Sequence, residues 1–143
     1  MRIGTLLQGK GSSVATISPD ATVTEAVEEL ARLRIGALVV SSDGEHIAGI
    51  VSERDIVRHL NNQAARLLDE PVSSIMSVTV VTCSPDDDTE RLMAIMTDNR
   101  VRHVPVVLDG VLCGLVSIGD VVKSRMDELE KDRKELTDYI TAR

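Results

Sequence analysis

The pattern of apolar and polar positions runs through one cycle and then repeats it. A short β-branched run from Val14 to Ile17 leads into Ser18-Pro19-Asp20, a combination that suits the first turn of a helix. Val23, Ala26, Val27, Leu30 and Leu33 then recur with the 3.6-residue period of an amphipathic helix. Two apolar runs follow, Ala37 to Val40 and Ile47 to Val51. They flank Asp43-Gly44, a pair that favours a hairpin turn, and a second helix is predicted from about Glu53.

From Val80 to Val122 the cycle returns. Thr82 and Ser84-Pro85-Asp86 answer Thr16 and Ser18-Pro19-Asp20, and Leu92, Met93 and Met96 supply the helical stripe. Val104 to Val107 and Val111 to Val116 flank Asp109-Gly110, and a helix is predicted from about Ile118. Gly49, Ser52 and Asp55 are matched by Gly114, Ser117 and Asp120, and one single-residue gap aligns the copies. The predicted order is therefore strand, helix, strand, strand, helix, twice. A unit of about 45 residues buries too little apolar surface to fold alone, so the two should share a core, sheet against sheet about a pseudo-twofold axis.

The expected fold class is α+β. The expected division is a first repeat with its lead-in over residues 1–70, a second over 71–126, and a helical extension over 127–143. Val72 to Met76 reads as a short helical lead-in to the second repeat, and Met1 to Leu7 as its counterpart for the first. Val122, Met126, Leu129, Leu136 and Ile140 form a stripe along one long C-terminal helix, interrupted by Arg133. That stripe calls for burial on the module or against another copy, and Arg133 argues against a long parallel coiled coil.

Composition narrows the chemistry. Of the 143 residues 43% are hydrophobic but only 1% aromatic, so the core must be built from Val, Ile, Leu, Ala and Met, with no aromatic platform for single-stranded nucleic acid. A net charge of −7 gives no general attraction to nucleic acid or an anionic membrane. The opening residues lack the apolar run of a signal peptide and no stretch is apolar enough to span a bilayer, so a cytoplasmic location is expected. Cys83 and Cys113 lie in apolar runs without a C-x-x-C partner, which predicts buried free thiols.

The motifs Gly49–Asp55 (GIVSERD) and Gly114–Asp120 (GLVSIGD), with the preceding RIGALVV and RVRHVPVV, resemble the CBS (cystathionine-β-synthase) domain pair, or Bateman module, in its small stand-alone bacterial form. The resemblance covers about Met1 to Lys123. It implies two pseudo-symmetric clefts that take AMP, ADP, ATP or another adenosine derivative such as S-adenosylmethionine or NAD(H). In this family the Ser of the motif contacts phosphate and the Asp binds the ribose hydroxyls. Carried over, one cleft joins Ser52, Arg54 and Asp55 to Thr82, Cys83, Val101, Arg102 and His103. The other joins Ser117 and Asp120 to Thr16, Ile17, Ile35, Gly36 and Ala37. The resemblance also implies a homodimer associated through helices and a regulatory role toward another protein, with no catalytic cofactor.

The residue types suit a nucleotide on their own account. A Ser and an Asp three positions apart at a strand-to-helix junction lie by unsatisfied N–H groups and the positive end of the helix dipole. The same pair also reads as an N-cap with its first-turn partner. Arg54, Arg102 and His103 add positive groups to the first cleft and suit a di- or triphosphate. The second has Gly36 and Ala37 in their place, and Ile118-Gly119 for Glu53-Arg54, so the Asp55 cleft is expected to be the tighter. A structural module with vacant clefts remains the alternative. Ser52, Asp55 and His59 on one short junction do not make a hydrolase site without a nucleophile elbow. Asp86-Asp87-Asp88 reads as dipole partners at a helix start, and Met93 with Met96 as core. No catalytic or metal site is expected.

Overall fold

The computed structural model describes residues 1–142. Its elements run α1 (Ile3–Lys10), β1 (Thr16–Ile17), α2 (Val23–Leu33), β2 (Ala37–Val40), β3 (Gly49–Ser52) and α3 (Glu53–Gln63). After two 3-10 segments, Ala64–Asp69 and Val72–Ser74, come α4 (Thr89–Asn99), β4 (His103–Leu108), β5 (Val111–Ser117) and α5 (Ile118–Thr141). The α+β repeat and the long C-terminal helix are both present.

Local chemistry sets the boundaries. α2 starts later than Ser18-Pro19-Asp20, because Thr22 is the cap: Glu25 N donates to Thr22 Oγ1 at 3.2 Å and Thr22 N to Glu25 Oε2 at 3.1 Å. Asp88 caps α4 by accepting from Glu90 N at 2.9 Å, and Asp87 accepts from Ser84 N at 2.8 Å, so two of the three consecutive acids are spent on backbone donors. Both helices end on an arginine in the left-handed region, Arg34 and Arg100, each with φ 54°.

β2 is buried along its whole length, pairs parallel with β1 and antiparallel with β3. In the second repeat β4 and β5 are antiparallel, and a single parallel bridge from Cys83 to Val106 takes the place of β1. The two hairpins differ. Asp109 (φ 52°) and Gly110 (φ 79°) close a two-residue turn in which both central residues have positive φ, as a type I′ turn requires. The first connection is longer, residues 41–48, and Asp43 organises it: its Oδ1 accepts from Glu45 N and His46 N, both at 2.8 Å, and Oδ2 meets His46 Nδ1 at 2.7 Å.

Two hydrophobic clusters form the core, and they do not follow the division at residue 70. Val23, Leu30, Leu38, Val51 and Ile56 pack with Val72 and Ile75 from the second repeat's lead-in. Leu92, Met96, Val104, Val106 and Val116 pack with Ile3, Leu6 and Leu7 from α1. The lead-ins thus change places. The glycine of each motif receives the exchanged segment: a Cβ on Gly49 would come within 2.8 Å of Met76 Sδ, and one on Gly114 within 2.7 Å of Leu7 Cδ1. The predicted stripe on α2 is buried at Val23, Ala26 and Leu30, whereas Val27 and Leu33 lie at its margin and are exposed. On α5, Val121 is buried, but Met126, Leu129, Leu136 and Ile140 are exposed.

Candidate functional site

β3 turns into α3, and β5 into α5, through the same device. Ser52 N donates to Asp55 Oδ2 at 2.9 Å, and Asp55 N donates back to Ser52 Oγ at 3.3 Å. Ser117 N donates to Asp120 Oδ2 at 2.8 Å and Asp120 N to Ser117 Oγ at 3.1 Å. Both pairs are therefore capping boxes. At Asp55 the cap uses Oδ2, which also accepts from Ser52 Oγ at 3.0 Å. No described protein donor is bonded to Oδ1, so capping and ligand binding are compatible there.

Each junction is tied to the strand start of its own repeat, Glu53 N donating to Gly36 O at 3.0 Å and Ile118 N to Arg102 O at 2.8 Å. Gly36 in turn abuts the other repeat, where a Cβ would lie 3.1 Å from His103 Cε1. This close approach draws the repeats together around a cavity of about 550 Å³. Its wall holds Ser52, Arg54 and Asp55 facing Val101, Arg102 and His103, six residues expected together from the sequence. Gly36 and Ala37, expected in the second cleft, line this one.

Thr82 and Cys83 are not in that wall; Thr79, Val80 and Val81 are. Cys83 is buried in the second core, its Sγ 3.8 Å from Pro105 O, and burial pushes its thiol up to about 12. Arg58 and Arg100 also line the cavity. Arg58 lies three residues beyond Asp55, a spacing that shares a helix face, and Arg100 is the left-handed cap that ends α4 just before Val101. Four arginines thus stand around the cavity with Glu53 and Asp55 as its acids. His103 is held below its ordinary value by burial and by the charge of Lys10, against the pull of Glu53 and Asp120.

The second cavity, about 880 Å³, has Thr16, Ile17 and Ile35 in its wall as expected, together with Lys10, Ser13 and Leu115. Ser117 and Asp120 do not line it. Lys10 connects them to it: its Nζ donates to Leu115 O at 2.5 Å and to Asp120 Oδ2. Burial by itself would raise the Asp120 carboxyl, but the bonds from Lys10 and Ser117 outweigh it and hold the group below its ordinary range. Glu25, Glu28 and Glu29 make the rim acidic, and Arg32 is bound to Glu29 at 2.7 Å.

The catalytic arrangements weighed from sequence find no geometry here. His59 Nδ1 meets the Asp55 backbone oxygen at 2.8 Å rather than its carboxylate, so Ser52, His59 and Asp55 do not form a relay. Among the described residues the one cluster with metal-ligand spacing is Asp43, Glu45 and His46, all exposed on the first hairpin loop and away from both cavities.

A family model for the CBS domain matches residues 11–62 and 72–127. The chain belongs to the CBS domain family. As a CBS domain pair it is 36% identical over 146 residues to the mitochondrial CBS domain-containing protein CBSX3 of Arabidopsis thaliana, covering 96% of this chain and 71% of that one. A CBS-domain protein of Agrobacterium tumefaciens superposes with a TM-score of 0.84 at 44% identity, covering 87% of this chain and 99% of the other. A CBS domain protein of Pyrobaculum aerophilum, solved in complex with AMP, superposes with a TM-score of 0.75 at 31% identity over 84% of this chain and 89% of its own.

Proposed function

We propose that this CBS pair is a regulatory module that binds an adenine nucleotide in the Asp55 cleft and has no catalytic activity of its own. The observation that carries this is the convergence of Ser52 and Asp55, at the N-terminus of α3, with Arg102 and His103 from the other repeat. Asp55 Oδ1 offers an acceptor for ribose hydroxyls. The helix terminus and the four arginines favour the phosphates, and the arginine excess suits ADP or ATP as well as AMP. The AMP complex of the Pyrobaculum relative supports the ligand class.

Because the cleft is built from both repeats, a ligand there shifts their relative orientation and passes a signal to a partner protein by differential binding. The exposed stripe Met126, Leu129, Leu136 and Ile140 supports self-association through α5, giving a homodimer. No helix among the described residues is long and apolar enough to cross a membrane.

The test is calorimetric titration of AMP, ADP and ATP, with a thermal-shift series that adds NAD(H) and S-adenosylmethionine. Binding by one of them, lost in Asp55→Ala and retained in Asp120→Ala, supports the reading. No binding by any at millimolar concentration, with dimerisation retained, leaves a structural module in its place.

A further inference from the structure

The two clefts differ at one position in a way that the repeat alone does not predict. Leu7 and Met76 hold the same place in the fold, the first against Gly114 and the second against Gly49. Three residues beyond them stand Lys10 and Thr79, and each lines one cavity, Lys10 the larger and Thr79 the Asp55 cleft. A hydroxyl in one cleft therefore corresponds to an ammonium in the other.

That ammonium is held in position. Lys10 ends α1, where the carbonyl end of a helix favours a cation, and Ile3, Leu6 and Leu7 fix α1 in the second core. Its Nζ bonds Leu115 O and Asp120 Oδ2, and the same Oδ2 accepts from Ser117 N. The Asp55 carboxylate, by contrast, meets only Ser52, and no lysine or arginine forms an ion pair with it among the described residues.

From this we infer that Lys10 is a specificity-determining residue: its ammonium holds Asp120 Oδ2 and neutralises the carboxylate that a ribose needs, so the cleft of Thr16 and Ile35 takes up adenosine in competition with an internal cation whose displacement favours binding. The inference rests on the proposed function and adds the reason why the two clefts fill unequally. Displacement also frees the end of α1 and the following residues, of which Ser13 and Val14 line the same cavity. Glu25, Glu28 and Glu29 compound the effect for phosphorylated ligands, which meet an acidic rim.

Adenosine is the probe that isolates the contact, since it lacks the phosphate that Lys10 would otherwise attract. Titrated calorimetrically into the full chain in an Asp55→Asn background, Lys10→Met is expected to strengthen adenosine binding by about two- to fivefold, the range for removing a half-exposed ion pair that competes with ligand. Adding Asp120→Asn removes that gain. Unchanged or weaker binding in Lys10→Met overturns the inference. A second readout needs no ligand: acetylation of the wild-type chain, followed by mass spectrometry, compares Lys10 with Lys123, Lys131 and Lys134. Lys10 is expected to label several-fold more slowly than the others and to lose that protection in Asp120→Asn. Labelling at the same rate overturns the lock whether or not nucleotide binds. Protection of Lys10 in a chain that no variant makes competent for adenosine or AMP overturns its role, and identifies the ligand reading as the point of failure.

Discussion

A Cβ on Gly49 would stand 2.7 Å from the carbonyl oxygen of Ser77. The two segments are bonded as well as packed, Ile50 N donating to Ser77 O at 3.0 Å and Ser77 N to Ile50 O at 2.9 Å. Gly49→Ala must therefore move backbone, and is expected to cost about 2–3 kcal/mol. Gly114→Ala meets only the Leu7 side chain, whose rotamer can give, so about 1 kcal/mol is expected. Urea denaturation of the two variants checks the order; a larger loss at Gly114 would contradict this account of the motif glycines.

Ser52→Ala and Ser117→Ala each remove the acceptor for an N3 backbone donor and are expected to cost about 1 kcal/mol of stability apiece. Only Ser52→Ala is expected to weaken AMP binding appreciably. The paired measurements, thermal unfolding and titration, separate the cap from the ligand contact.

Much of this was legible in the sequence because the signals were local and doubled. The Ser-x-x-Asp pairs, the turn glycines and the helical stripes need only neighbouring residues, and six residues of the Asp55 cleft followed from the motifs. What escaped reading was long-range. Nothing in the spacing of Ile3, Leu6 and Leu7 says that they pack against Val104 and Val116 rather than the repeat they precede. Gly36 belongs with His103 because the repeats approach closely there, and Lys10 reaches Asp120 across 110 positions of sequence. The family resemblance places Cys83 beside the ligand, but its side chain points into the core, as its own apolar surroundings indicate.

His103 links stability to pH. Its folded value lies below the ordinary 6.5, so the neutral form is favoured on folding. The contribution is present above about pH 6.5 and is lost as pH falls through the lowered folded value. His46, raised by its bond to Asp43, has the opposite sign and loses its contribution as pH rises. Replacing His103 with Gln is therefore expected to reduce the loss of melting temperature between pH 7 and pH 5. A steeper loss in the variant would refute the assignment.

The cysteines are expected to be slow toward iodoacetamide at neutral pH. Burial raises both thiols, Cys83 to about 12 and Cys113 to a lesser degree, and it is the thiolate that reacts. Cys113, only partly buried, should label first, and Cys83 only when the second core opens. Mass spectrometry across a urea series reads both.

The exchange of lead-ins sets the order in which the chain can complete itself during synthesis. α1 leaves the ribosome before either repeat, yet the core that receives it is finished only when Val121 has emerged, more than a hundred residues later. At typical elongation rates that interval is on the order of ten seconds. The first repeat closes sooner, once the segment through Ile75 is out. α1 thus finds its place long after the first repeat has closed.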